Sequence, residues 1–304
     1  MKKLWVVLLL FLVAGCSQVG PRMGEKITGN PDGLRIEFLQ LQPPTIIREN
    51  QDVNVGLKLT NSGVCDISSE VCVSDTLSSV WGGIDEQCQS LNLNGIELVA
   101  GKVSSDTTEV YFNFEPYTNL DRDLSTTVIA KSKYRCEVSA GPQLCVKRLV
   151  GEDEKECGSF ETITGTGLEA TIAPITLGKV EKQLIPERGG INLIADITLK
   201  KMNEGEIVGE IDPSVLSEKG EAFALRHTPI RFETDYLGYG LMDCKNVENG
   251  VFLWRKDRNE ETISCELFLG DVDFVDNPLD VRLGYEYENL NSLSLSISDV
   301  DRQR

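Results

Sequence analysis

Residues 41–63 read LQPPTIIRENQDVNVGLKLTNSG, and this stretch decides the fold class. Val53, Val55, Leu57 and Leu59 alternate with Asp52, Asn54, Gly56, Lys58 and Thr60. A period of two places the apolar set on one face of an extended strand, so the segment reads as one half-buried member of a sheet. Pro43-Pro44 breaks any strand ahead of it, because proline brings no N–H to a ladder. Asn61-Ser62-Gly63 ends it with turn-forming residues.

The same pattern recurs along the chain. Ile191, Leu193, Ala195, Ile197 and Leu199 alternate with mostly polar neighbours, Ile194 excepted, and Asn203-Glu204-Gly205 follows them. Each half also carries a late, tyrosine-bearing strand: Val128, Ala130, Ser132 and Tyr134 in the first, Val281, Leu283, Tyr285 and Tyr287 in the second. Leu293, Leu295 and Ile297 alternate with serines and read as a separate final strand. One short helix is expected, at Pro213 to Lys219. Gly158 to Gly167 (GSFETITGTG) reads as a small-residue junction, so the boundary is placed near residue 160. The expectation is an all-β chain of two tandem immunoglobulin-like β-sandwich domains, residues 34–160 and 161–304, each of short strands separated by turns.

Pro43, Pro44, Glu49, Val53, Val55, Leu57, Leu59, Asn61 and Gly63 resemble the opening of the immunoglobulin-like modules of archaeal and bacterial surface proteins, including CARDB-type adhesion modules. Pro186 to Gly205 matches more faintly, without the double proline and with two extra residues before its Asn-x-Gly. This resemblance implies surface adhesion or scaffolding and brings no catalytic residues.

Residues 1–15, MKKLWVVLLLFLVAG, have the form of a signal peptide: Lys2 and Lys3, then an apolar run from Leu4 to Val13. That run is shorter than the roughly 20 apolar residues that span a bilayer. Val13-Ala14-Gly15-Cys16 resembles the lipobox of prokaryotic lipoproteins, which implies cleavage before Cys16 and a covalent lipid on its thiol. Each buried lipid methylene contributes about 0.8 kcal/mol, so two or more chains tether a protein to the membrane. Residues 16–33 are then a lipidated, Gly- and Pro-bearing spacer, and the body is extracytoplasmic.

With Cys16 set aside, eight of the nine cysteines remain, an even number that suits disulfides in an exported chain. Cys244 and Cys265 have no other local partner. Cys145 and Cys157 flank the polar run from Lys147 to Glu156 and staple a loop. Cys65, Cys72, Cys88 and Cys136 allow three pairings, among which the sequence does not choose. No C-x-x-C pair is present to suggest a zinc site.

The chain has 304 residues and a formal charge of −18, with no basic run, so phosphate backbones would repel it and nucleic-acid binding is not expected. His227 is the only histidine, which leaves no multi-histidine metal site. The G-x-S-x-G, H-E-x-x-H, P-loop and dinucleotide fingerprints are absent from the sequence. Trp81, in Val80-Trp81-Gly82-Gly83, and Tyr236 and Tyr239, in YLGYG, are candidate binding aromatics, set against a packing role for each. Asp271, Asp273 and Asp276, followed by Asn277, cluster oxygen ligands, but they lack the glycine and terminal glutamate of a calcium loop and read as a solvated turn. Tyr134-Arg135-Cys136 has the spacing of a tyrosine corner. No cofactor and no catalytic residue are expected. The functional expectation is a membrane-anchored surface lipoprotein acting without catalysis in adhesion, envelope scaffolding or assembly with other surface proteins. A solute- or glycan-binding lipoprotein is the alternative, and a carboxylate-dependent surface hydrolase the second.

Overall fold

A computed structural model of the chain describes residues 31, 33–99, 102–147 and 157–299. Val13, Ala14, Gly15 and Cys16 lie outside the described residues. In chain order the strands of the first half are β1 (Leu34–Phe38), β2 (Ile46–Arg48), β3 (Val53–Asn61), β4 (Ile67–Asp75) and β5 (Gln87–Leu93). Then come β6 (Glu97–Val99), β7 (Lys102–Ser104), β8 (Asp106–Phe114), β9 (Leu124–Ala140) and β10 (Gln143–Lys147). The second half has β11 (Phe160–Thr164), β12 (Ile175–Glu187), β13 (Gly190–Lys201), β14 (Glu206–Val208), β15 (His227–Tyr236) and β16 (Gly240–Leu241). It ends with β17 (Asp243–Cys244), β18 (Val247–Glu248), β19 (Val251–Arg255), β20 (Glu260–Phe268) and β21 (Phe274–Ser298). Among the described residues three short α-helices interrupt them, α1 (Ser78–Trp81), α2 (Pro213–Lys219) and α3 (Glu221–Ala224), with a 3-10 turn at Gly165–Leu168. The chain is therefore all-β in class, and α2 falls where the sequence placed its one helix.

Three sheets carry the core. One has the order β1-β3-β8 and another β11-β12-β13-β20-β17. The largest has 11 strands along β18-β19-β15-β21-β9-β4-β5, with β2, β10 and β14 also on β21 and β16 on β15. The alternation read at Val53 to Thr60 is the burial pattern of β3, whose Val53, Val55, Leu57 and Leu59 are buried while Asn54 and Lys58 face water.

The position near residue 160 is crossed by the longest ladder in the molecule. All 17 residues of β9, from the first half, pair antiparallel with β21, from the second, from Leu124↔Ile297 to Ala140↔Val281. The two stretches that read as separate strands, Val281–Tyr287 and Leu293–Ile297, are one 25-residue strand. Their apolar residues were already in one phase; Asn289 and Asn291 interrupt it, and polar residues at inward positions look like a break. The structure uses them otherwise: the Asn289 side-chain amide donates to the Leu34 carbonyl and that of Asn291 to the Ile36 carbonyl at 2.8 Å. Two amides thus cover the outer edge of β1, where unpaired carbonyls would be costly to bury.

The two Asn-x-Gly turns are hydrogen-bonding nodes. Buried Asn61 donates through Nδ2 to the carbonyls of Cys65 and Asn94, both at 2.8 Å, and its Oδ1 accepts the Gly63 N–H at 3.1 Å. Asn203 donates to the Pro31 carbonyl at 3.0 Å and accepts the Tyr287 hydroxyl.

Four disulfides join Cys65 to Cys136, Cys72 to Cys88, Cys145 to Cys157 and Cys244 to Cys265. The three-way choice among the first four cysteines resolves to 65–136 and 72–88. Cys72 and Cys88 sit directly opposite on β4 and β5, as Cys244 and Cys265 do on β17 and β20. Such a set belongs to an oxidising, extracytoplasmic environment. Tyr134 is not at a strand-end corner: it lies within β9, faces the core and meets the edge of Tyr287 with ring centroids 6.1 Å apart.

A candidate ligand cleft under two short helices

The connection between β14 and β15 builds a small roof. Asp212 caps α2, accepting the Ser214 N–H at 2.8 Å and the Ser214 hydroxyl at 2.6 Å, and Pro213 supplies the preset φ of a first helical residue. Those bonds from Ser214 hold the Asp212 carboxyl below the usual carboxylate range. Gly220, at φ +83°, turns the chain from α2 into α3, a conformation costly for any residue with a Cβ. The chain then enters β15 at His227.

Beneath this roof lies a cleft of about 530 Å³, whose floor is β15, β18, β19 and the start of β20. On one wall the His227 ring stacks on Phe223, with centroids 3.9 Å apart and planes 15° apart. His227 Nδ1 lies 2.9 Å from the Phe223 carbonyl, which only accepts, so the proton is on Nδ1. Lys219 Nζ stands 5.3 Å from the centroid of the same Phe223 ring, a cation–π distance. Directly beside His227 in the β15–β19 ladder, Arg255 grips Asp257 through two bonds, at 3.1 and 2.8 Å. This pairing raises the guanidinium further and holds Asp257 below the usual carboxylate range. At the base is Glu261, its side chain 12% exposed, with one oxygen 3.5 Å from Arg258 Nη1. Its other oxygen, Oε1, is buried without a donor from the protein. Phe252 is buried behind the floor, and Val251 and Leu253 are half-buried in it.

The residues singled out by sequence are spread over the molecule. Trp81 ends α1 at half burial, and its loop is tightly held: Asp75 accepts the Leu77 and Ser78 N–H groups at 2.9 and 2.7 Å and the Tyr117 hydroxyl. The Trp81 carbonyl also accepts the Thr118 N–H at 3.0 Å. Tyr236 is a core residue, wholly buried, and donates to the Leu144 carbonyl at 2.8 Å; burial pushes its hydroxyl up to about 12. Tyr239 stacks on it at 5.6 Å and is 41% exposed. Asp271 and Asp273 lie ahead of β21 and Asp276 within it, all three solvent-facing. Among the described residues the one group with metal-ligand spacing is Glu70, Cys72 and Cys88, and its two sulfurs are joined to each other. On the outer face of the large sheet, acids meet cations: Lys133 lies 2.7 Å and Arg135 3.6 Å from Glu286, Lys131 lies 2.9 Å from Glu86, and Arg282 lies 2.5 Å from Asp280. Lys133, foremost, holds the Glu286 carboxyl below its usual range.

Sequence reading missed the cleft, because its walls come from residues 211–229, 246–255 and 261, far apart along the chain. It also missed Lys182, whose side chain is fully buried and whose Nζ donates to Glu161 at 2.6 Å and to the Cys145 carbonyl at 2.7 Å. The signal was present: Lys182 occupies the apolar phase of Val180-x-Lys182-x-Leu184. No family model and no curated protein matches this chain.

Proposed function

We propose that the chain is a lipid-tethered extracytoplasmic lipoprotein that works by binding and not by catalysis, in adhesion, envelope scaffolding or assembly with other surface proteins. The observation that carries this reading is the β9–β21 ladder, in a body with four disulfides, two of which join neighbouring strands of one sheet directly. A body whose two halves share one sheet resists separation, and covalent links between strands suit a protein exposed to proteases and shear. Cys16 is its anchor, and residues 16–33 hold the acidic body away from anionic headgroups. In this reading the halves are two immunoglobulin-like sandwiches of the adhesion-module kind, fused through their common sheet.

The test is metabolic labelling with a clickable fatty acid, comparing wild type with Cys16→Ser, followed by lysine-reactive cross-linking on intact cells. Label on the wild type alone, with discrete cross-linked species that disappear when Cys16→Ser releases the protein, is the expected result. An unlabelled wild type that fractionates with the cytosol would overturn the proposal.

A solute-binding lipoprotein is a second reading, and the cleft beneath α2 and α3 favours it. Its volume lies within the roughly 300–1,000 Å³ range of small-molecule sites, and its lining combines apolar side chains with a larger number of polar and charged ones.

A further inference from the structure

We propose that the Cys72–Cys88 disulfide is a site of reversible modification by small thiols, with Cys88 the sulfur attacked, while the other three bridges stay closed. This goes beyond the binding readings above, and neither Cys16 nor the cleft enters its test.

Exposure singles out this bridge. Cys136, Cys157 and Cys265 are buried, so each of the other three disulfides keeps one of its cysteines inside the protein. Cys72 is half-buried and Cys88 is exposed. Their place in the sheet is the reason. β5 is the terminal strand of the large sheet, beyond β4. Cys72 alternates with the buried Val71 and Val73, and Cys88 shares the outer face of β5 with the exposed Ser90 and Asn92. Thiol–disulfide exchange requires a thiolate to reach a sulfur, so access decides both which bridge reacts and which of its sulfurs is attacked.

The fold does not depend on this bridge staying shut. Seven pairs register β4 on β5, from Ile67↔Leu93 to Val73↔Gln87, and the buried Leu91 and Leu93 root β5 in the core. The Ser68 hydroxyl donates to Asn92 Oδ1 at 3.0 Å, and Gln89 Nε2 donates to the Tyr111 carbonyl on β8 at 2.6 Å. The sulfurs can change partners while the strands stay where they are.

The step itself is balanced. The thiolate of the small thiol attacks Cys88 Sγ, and a new S–S bond forms as the Cys88–Cys72 bond breaks. The electron pair leaves on Cys72 Sγ, which takes a proton from water. One disulfide replaces another, so no further oxidant or reductant is consumed. Attack by Cys72 on the mixed disulfide runs the step backwards, restoring the bridge and releasing the small thiol. Two charges act on it in opposite directions. Lys131 is the ladder partner of Cys72 on its other side, its ammonium 2.9 Å from Glu86, and a cation there favours the departing Cys72 thiolate. Glu70 opposes it: a carboxylate oxygen of Glu70 and both sulfurs lie within 4.8 Å of one another, so its charge disfavours thiolates arriving and leaving.

The purified full chain, disulfides intact, would be incubated with excess glutathione at neutral pH and quenched in acid at intervals. Free thiols are then blocked with N-ethylmaleimide and every cysteine is mapped by peptide mass spectrometry. Glutathione on Cys88 and maleimide on Cys72 should appear at least about tenfold faster than either label on the cysteines of the other three bridges, with an unchanged circular dichroism spectrum. Glu70→Gln should speed the reaction about twofold or more and Lys131→Met should slow it by a similar factor, a pair of opposite shifts that general loosening of the sheet would not produce. Both substitutions fall on the solvent-facing side of the sheet, and the mapping of the wild type stands without them. Another bridge opening as fast, glutathione settling on Cys72, loss of the sheet signal in step with labelling, or a Cys72–Cys88 bridge that stays intact in excess glutathione would each overturn the proposal.

Discussion

Removing the Glu161 carboxylate should destabilise the protein more than removing the buried charge it serves. Lys182 is fully buried, and two of its three N–H donors go to Glu161 and to the Cys145 carbonyl. In Glu161→Ala the ammonium stays behind with one partner and no counter-charge. Breaking a fully buried pair in this way costs about 3–5 kcal/mol. Glu161 is 44% exposed, so water screens part of the interaction and we expect about 2 kcal/mol. Lys182→Met keeps the apolar stem, removes the desolvated charge and loses one bond to a carbonyl, a net change within about 1 kcal/mol. The double variant should resemble Lys182→Met alone, because Glu161 then has nothing left to pair with. The assay is urea unfolding without reductant, followed by far-ultraviolet circular dichroism and by the fluorescence of buried Trp254. Glu161→Ala within about 0.5 kcal/mol of wild type, or Lys182→Met the more damaging of the two, would refute the reasoning.

Three further outcomes follow from the same physical picture. Replacing disulfides by paired serines should cost stability in the order 65–136, 244–265, 145–157, since their sequence separations of 71, 21 and 12 correspond to about 4, 3 and 3 kcal/mol of loop entropy, with the last two close together; calorimetry of the three double variants would show the ranking. Gly83→Ala should lower the midpoint of thermal unfolding by several degrees and loosen the Trp81 loop, because Gly83 has φ +90° and a Cβ there would collide with the Tyr117 ring; amide exchange at residues 77–83 is the check. Stability should fall as pH rises from about 10 to about 12: folded Tyr236 keeps its proton until about 12, whereas the unfolded chain releases it near 10, so protons leave the unfolded state first and favour it. Tyr236→Phe should make that alkaline slope shallower in stability measurements across the same range, with burial of Tyr285 and Tyr117, which raises both hydroxyls, supplying what remains.

Much of the local structure was legible because it depends on neighbours in sequence. The alternation in residues 53–60 is β3, that in residues 191–199 is β13, and Asp212-Pro213 marks the start of a helix through its capping chemistry. Cys244 and Cys265, like Cys145 and Cys157, were paired by proximity along the chain, and the structure joins the same atoms. Strand partnership was not legible. Nothing near Tyr134 announces that its strand pairs with residues 281–297, because either edge of a half-buried strand offers the same donors and acceptors. The continuity of β21 through Asn289 and Asn291 was hidden for a related reason, since the distant carbonyls these inward amides serve are visible only in the fold. Of the site, the helix from Pro213 to Lys219 was legible and His227 stood out as the lone histidine; the structure half-buries His227 on Phe223 at the start of β15. Glu261 was one acid among 48 acidic residues until folding placed it under a roof contributed some 40 residues earlier in the chain.

The partner of β9 is made long after β9 itself. Ribosomes and export channels deliver a chain from its N-terminus, so residues 124–140 emerge well over a hundred positions before residues 281–297 can meet them. Until then β9 offers an open edge along its whole length, the kind of surface on which strands of other molecules also dock. The large sheet therefore closes only when residues 281–297 reach this edge, and helper proteins that shield such edges would have their chief task during that wait.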